Sequence, residues 1–189
     1  MSFYIRKTRV VITFSFLLVT AALLCMDKAG IGWMLLVSIA CHEAAHIAVM
    51  KVLEIPIAQI GFYPFGVQIR RGEGTASYIK EALVCIAGCV FSLLFAAAVL
   101  KISPMLSAVN FTIGVFNLIP IPPLDGGQAL LALLKNRLSD EAADKISLII
   151  SAAAIIPLSC AAVMLLKNGG NFSLLITLIF LVGGVISKR

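Results

Sequence analysis

The sequence predicts an all-α polytopic membrane protein. About six transmembrane helices are expected, with a short β-hairpin-like re-entrant segment near residues 55–71. Three observations lead there. Of 189 residues, 61% are apolar and only 13% charged, and the mean hydropathy is +1.07; an ordinary soluble domain carries about 25% charged residues. The apolar residues gather in runs close to the roughly 20 that cross a bilayer. Only short polar connections separate those runs, which leaves no room for a sizeable water-soluble domain beside them. One membrane-embedded domain over residues 1–189 is therefore expected, and its few polar residues carry the information.

Residues 10–26 form an uninterrupted apolar run behind Arg6, Lys7 and Arg9. A secretory signal peptide begins the same way. Here more membrane segment follows, and Leu24 stands where a lipoprotein cleavage site needs a small residue before Cys25. The run reads as a first transmembrane helix. Five more segments are expected at about residues 31–53, 79–100, 105–124, 146–166 and 172–186. The longest connection, residues 54–78, mixes β-branched residues, aromatics, Pro and Gly around Pro64-Phe65-Gly66, which favours short strands about a turn. Residues 126–145 read as a polar loop.

Charge placement sets the orientation. With the N-terminus in the cytoplasm and six crossings, Arg6, Lys7, Arg9, Lys51, Arg70, Arg71, Lys80, Lys135, Arg137, Lys145, Lys188 and Arg189 lie inside, which is 12 of the 15 basic residues. Lys28, Lys101 and Lys167 lie outside. This positive-inside bias predicts a multi-pass protein of the cell membrane with both termini cytoplasmic. It also accounts for the net charge of +6 without nucleic acid, which is not expected as a partner. Cys25, Cys41, Cys85, Cys89 and Cys160 all lie in apolar stretches, odd in number and without a pairing pattern, and read as small packing residues.

The second segment contains Cys41-His42-Glu43-Ala44-Ala45-His46, with both histidines of the chain four residues apart. At 3.6 residues per turn the two imidazoles leave one helix face and can reach a single metal ion. Glu43 stands beside that face, placed to act on water without being a ligand. This is the H-E-x-x-H zinc-peptidase arrangement. By chance, the two histidines would fall four apart with a glutamate after the first in only about 3 of 10,000 arrangements of this composition. A polar cluster satisfied by neighbouring helices is the bland alternative. Against it stands the insertion cost of an ionisable group at the bilayer centre, roughly 2.5–3.5 kcal/mol each.

Catalytic zinc usually has three protein ligands and a water. Glu54, Glu73 and Glu81 lie too near the second segment or in the strand region, and Glu141 with Asp140 and Asp144 reads as a solvated face. The better third ligand is Asp125, in Phe116-Asn117-Leu-Ile-Pro-Ile-Pro-Pro-Leu-Asp125-Gly126-Gly127. Pro120, Pro122 and Pro123 break the fourth segment, and broken backbone at membrane depth is tolerated only inside protein or beside a water cavity. Two readings stand for Asp125, a helix-ending aspartate facing the cytoplasm or a ligand, and the histidine pair favours the ligand.

Together these residues reach a family. H-E-A-A-H with Asn117-x-x-Pro120…Leu124-Asp125-Gly126 closely resembles the site-2 protease family of intramembrane zinc metalloproteases, whose motifs are H-E-x-x-H on one membrane helix and N-x-x-P…L-D-G later. The turn Tyr63-Pro64-Phe65-Gly66 is similar to that of the bacterial subgroup typified by the stage IV sporulation protease, which processes a sigma-factor precursor. The resemblance covers about residues 31–128. It departs at A-G-P-x-x-N, where this chain has Ala87-Gly88-Cys89-Val90-Phe91-Ser92, so no role is carried over to Cys89 or Ser92. Gly88, Ser92 and Ala96 recur every fourth residue and read as a close-packing stripe. Ala45 replaces the family's usual glycine. Neither an inserted PDZ domain nor a C-terminal nucleotide-sensing domain is expected.

The resemblance implies Zn²⁺ held by His42, His46 and Asp125, with water as fourth ligand and Glu43 as the proton acceptor. Asn117 matches the family's substrate-positioning asparagine; it either donates to the substrate carbonyl or caps the broken helix. The implied activity is that of an intramembrane zinc metalloendopeptidase acting on transmembrane or membrane-associated proteins, such as a transcription-factor precursor or anti-sigma factor. Its partners would be the lipid bilayer, a substrate whose transmembrane segment has unwound, and a regulatory membrane protein. Residues 57–69 either pair with the extended substrate or pack as a hairpin. The rival is a catalytically inactive membrane metal-binding scaffold, for which an intact Glu43 has no use. A metal transporter would need a ladder of polar residues across the membrane, and only one cluster is present.

Overall fold

The computed structural model of the chain describes residues 1–5, 8–27, 29–64, 66–72, 77–167 and 173–186. Expectations placed on Arg6, Lys7, Lys28, Phe65, Glu73, Lys188 and Arg189 lie outside these residues. Two strands open the chain, β1 (Ser2–Ile5) and β2 (Thr8–Ile12), where a helix was expected from Val10 onward. Thr8, Val10, Val11 and Ile12 are all β-branched and suit a pleated strand better than a helix. Helix α1 (Phe14–Met26) starts only after Thr13, whose hydroxyl accepts from the Phe16 N–H and donates to the Phe62 carbonyl. Its 13 residues rise about 20 Å, short of the roughly 30 Å hydrocarbon core.

Asp27 then starts α2 (Ile31–Val52). Its carboxylate accepts from the N–H groups of Ala29, Ile31 and Gly32 at 3.2, 3.0 and 2.7 Å. Desolvation pushes this carboxyl up, but the backbone donors of Gly32, Ile31, Ala29 and Trp33 outweigh it and hold the pKa below the ordinary 3.8. Strands β3 (Ile57–Tyr63) and β4 (Gly66–Arg71) follow as an antiparallel hairpin, as the turn chemistry of residues 55–71 predicts. Gly66 has a φ of +134°, which only glycine adopts readily. β2 runs parallel to β3, a pairing that α1 and α2 make possible as the long crossover between them. The sheet order is β1-β2-β3-β4, so the all-α expectation is corrected to a mostly helical chain with a four-stranded sheet.

The remaining elements are α3 (Tyr78–Val99), α4 (Pro104–Asn117), α5 (Asp125–Lys135), α6 (Asp140–Lys167) and α7 (Ser173–Ile186). The fourth expected segment stops at Asn117, because Pro120, Pro122 and Pro123 cannot continue it. The expected loop after Gly126 is instead helix α5, since Gln128-Ala-Leu-Leu-Ala-Leu-Leu is a run of strong helix formers. Among the described residues three helices are long and apolar enough to cross a membrane: α2, α3 and the Asp140–Met164 stretch of α6. They mark a membrane protein. The helices leave Leu94, Ile149, Ile156, Met164 and Ile179 more than half exposed, which suits a lipid surround and not water.

The chain forms two compact units, Met1–Ser77 with Val90–Gly114, and Tyr78–Cys89 with Val115–Arg189. In the first, α2 buries Ser38, His42, His46 and Met50, one residue per turn. Asn110 of α4 donates to the Ser38 hydroxyl at 2.8 Å and to the Leu106 carbonyl at 2.9 Å, and Ser107 donates to the Ala96 carbonyl at 2.7 Å. In the second unit Ile121, Leu124 and Leu181 form the core, with Phe116, Ile155 and Leu158 packed against them. Cys85 and Cys89 are buried, in keeping with packing roles, whereas Cys25 and Cys160 are exposed.

Candidate metal centre

Successive i, i+4 positions on one helix face one way, and the buried face of α2 carries both histidines, His42 at 4% and His46 at 6% exposure. Their Nε2 atoms lie 3.2 Å apart, with the rings edge-on at 80°. Two nitrogen ligands at about 2.0–2.1 Å from a tetrahedral zinc stand about 3.3 Å apart, so the pair fits such an ion. Glu43 is the next residue round the helix and is half-buried beside this face. The Nδ1 of His42 is 3.0 Å from the hydroxyl oxygen of Ser92, which is fully buried on α3.

Asp125 owes its place to the broken backbone before it. Residues 118–124 leave helical geometry after Asn117, and Leu124, extended at φ −69° and ψ 158°, precedes the first turn of α5. Asp125 is the first residue of that turn, where the helix dipole favours a carboxylate. The freed carbonyls find partners. Ser151 Oγ lies 3.1 Å from the Pro120 carbonyl and 2.7 Å from that of Ser147, and the Gln128 amide donates to Pro123 at 3.1 Å. Gly126 and Gly127 are required by close approach: a Cβ on the first would strike the Leu118 backbone, and one on the second the backbone of Ile121 and Pro122. The Cys89 thiol stands 3.9 Å from Asp125 Oδ2.

One candidate ligand atom from each of His42, His46 and Asp125 lies within 4.8 Å of the others. Among the described residues this is the one group of three such side chains, and it can hold a metal ion. Asn117 is the last residue of α4, half-buried where the helix breaks. Asp140 and Asp144 are exposed on α6 and reach Lys135 at 3.9 and 3.3 Å, the solvated face expected of them. The sequence reading gave no role to Ser92 or Cys89, whose contacts with His42 and Asp125 come from elements distant in the chain.

Residues 97–158 match the model of peptidase family M50. The zinc metalloprotease MJ0392 of Methanocaldococcus jannaschii is 30% identical over 193 residues, covering 90% of this chain and 53% of that protein. Rip3 of Mycobacterium tuberculosis is 32% identical over 129 residues, covering 59% of this chain and 33% of Rip3. The chain thus spans about half the length, or less, of these curated relatives. In fold it is similar to the site-2 protease from Methanocaldococcus jannaschii, with a TM-score of 0.71 at 23% identity over 99% of this chain and 94% of that one. The M50 match, the zinc metalloprotease relative and the shared fold together support the site-2 protease family for this chain.

Proposed function

We propose that the chain is an intramembrane zinc metalloendopeptidase that cleaves transmembrane or membrane-associated proteins. The observation that carries this reading is the meeting of His42, His46 and Asp125 within 4.8 Å, with Glu43 beside the pair. His42 and His46 would hold the ion through Nε2 and Asp125 through a carboxylate oxygen, a catalytic rather than a closed structural donor set. A zinc ion held there supplies Lewis acidity, polarising the scissile carbonyl and acidifying water. Glu43 accepts the proton of the attacking water and delivers it to the leaving amine. Asn117 donates to the substrate carbonyl as negative charge develops on it. An intact substrate helix has its peptide bonds tied up internally, so the segment must unwind before attack. An exposed strand of the sheet suits pairing with it once extended.

The charge bias supports a cell-membrane protein with both termini cytoplasmic, and reporter fusions finding Ile186 outside would overturn that orientation. The test of function is co-expression with candidate single-span membrane proteins, followed by fragment mapping. Glu43→Gln keeps shape and hydrogen bonding but removes the proton acceptor. Zinc should stay near one per chain while cleavage falls by about 10² to 10⁴-fold. His46→Ala should lose zinc and cleavage together. A Glu43→Gln protein cleaving at the wild-type rate would refute the mechanism, and a zinc-loaded wild type that cleaves nothing would favour the inactive scaffold.

A further inference from the structure

We infer that Ser92 is a positioning residue for the metal ligand His42, a role that rests on the zinc reading above. The two side chains come from different helices, and both are buried, His42 at 4% exposure and Ser92 at 0%. The contact is polar and short, 3.0 Å from His42 Nδ1 to Ser92 Oγ. A close-packing stripe of Gly88, Ser92 and Ala96 explains why position 92 is small. It does not explain a hydroxyl there. A histidine that gives Nε2 to a metal ion carries its proton on Nδ1, and a serine oxygen at that distance is placed to accept it. His42 Nε2 then keeps its lone pair for the ion, on the side where His46 Nε2 stands 3.2 Å away.

The same bond fixes the imidazole plane. Removing the hydroxyl takes away the oxygen that faces Nδ1 and loosens the hold on the ring. Outer partners of this kind usually change metal affinity by about 10- to 100-fold when removed. Ser92 therefore acts through His42 and needs no contact with substrate.

The experiment is a zinc dissociation constant, measured by chelator competition on purified full-length protein in detergent, with the absorption spectrum of the cobalt-loaded form as a second readout. Ser92→Ala should weaken zinc by about 10- to 100-fold and alter the cobalt spectrum. Ser107→Ala removes a buried hydroxyl of the same size from α4, donated to Ala96 at 2.7 Å, and should bind zinc like the wild type. Should Ser92→Ala not fold, Ser92→Thr and Ser92→Val decide, being equal in volume. The threonine variant should stay close to wild type, and the valine variant should bind at least about tenfold more weakly. Equal affinities for that pair, or for Ser92→Ala and wild type, would overturn the assignment of Ser92 alone, provided that His46→Ala still loses zinc. A wild type that binds no zinc would overturn the metal reading and this inference with it.

Discussion

Gly126→Ala adds one methyl group and tests whether Asp125 is placed by backbone packing. Alanine in place of glycine in a helix ordinarily stabilises by about 0.5–1 kcal/mol. Here the new Cβ would meet the carbonyl and Cα of Leu118, main-chain atoms that no rotamer change can remove. Real Cβ contacts essentially never fall under 3.0 Å, so the start of α5 must draw away from residue 118 by about 1 Å to relieve the overlap. Asp125 is the adjoining residue and moves with it. Ligand and catalytic geometry tolerates about 0.5 Å, and a 1 Å misplacement costs on the order of 10²-fold in rate. Cleavage of a membrane substrate should therefore fall about 10²-fold and zinc affinity should drop, with helix content unchanged. Gly183→Ala on α7 is the control, because nothing lies within 4 Å of its added Cβ, and it should be neutral. A Gly126→Ala enzyme within threefold of the wild type, in both rate and zinc dissociation constant, would refute the packing argument.

Other consequences follow from single contacts. Ser38→Ala removes one of the two acceptors of the buried Asn110 amide and should destabilise the fold by about 0.6 kcal/mol, and by no more than about 1.7, in denaturant titration, the average and maximum worth of a hydrogen bond between membrane helices. Asp27→Ala should lower thermal stability at neutral pH. Because the folded pKa of Asp27 lies below its unfolded value, its contribution is complete above about pH 4 and fades as pH falls through the folded value; mutant and wild type should converge in acid. Gly184→Ala should be milder than Gly126→Ala, since its Cβ meets the Pro123 ring at 2.8 Å, a smaller overlap than the one with the Leu118 backbone; cleavage assays on the two would rank them.

The histidine pair was legible in the sequence because helical periodicity is local. Four residues of spacing put His42 and His46 on one face whatever else the chain does, and burial of Ser38 and Met50 on that same face follows the same period. The membrane character was legible from composition, and Asp125 from the three prolines that force the chain out of helix before it. What the tertiary structure alone decided is non-local. Residues 10–12 are apolar enough for a helix, and they become part of a strand because β3, far along the chain, offers them a parallel partner. Several helices are shorter than a full span, which total hydropathy cannot reveal, because hydropathy counts apolar residues and not where the hydrogen-bonded turns stop. Ser92 lies on a stripe of small residues, and only the approach of α2 to 3.0 Å turns its hydroxyl into a partner for His42.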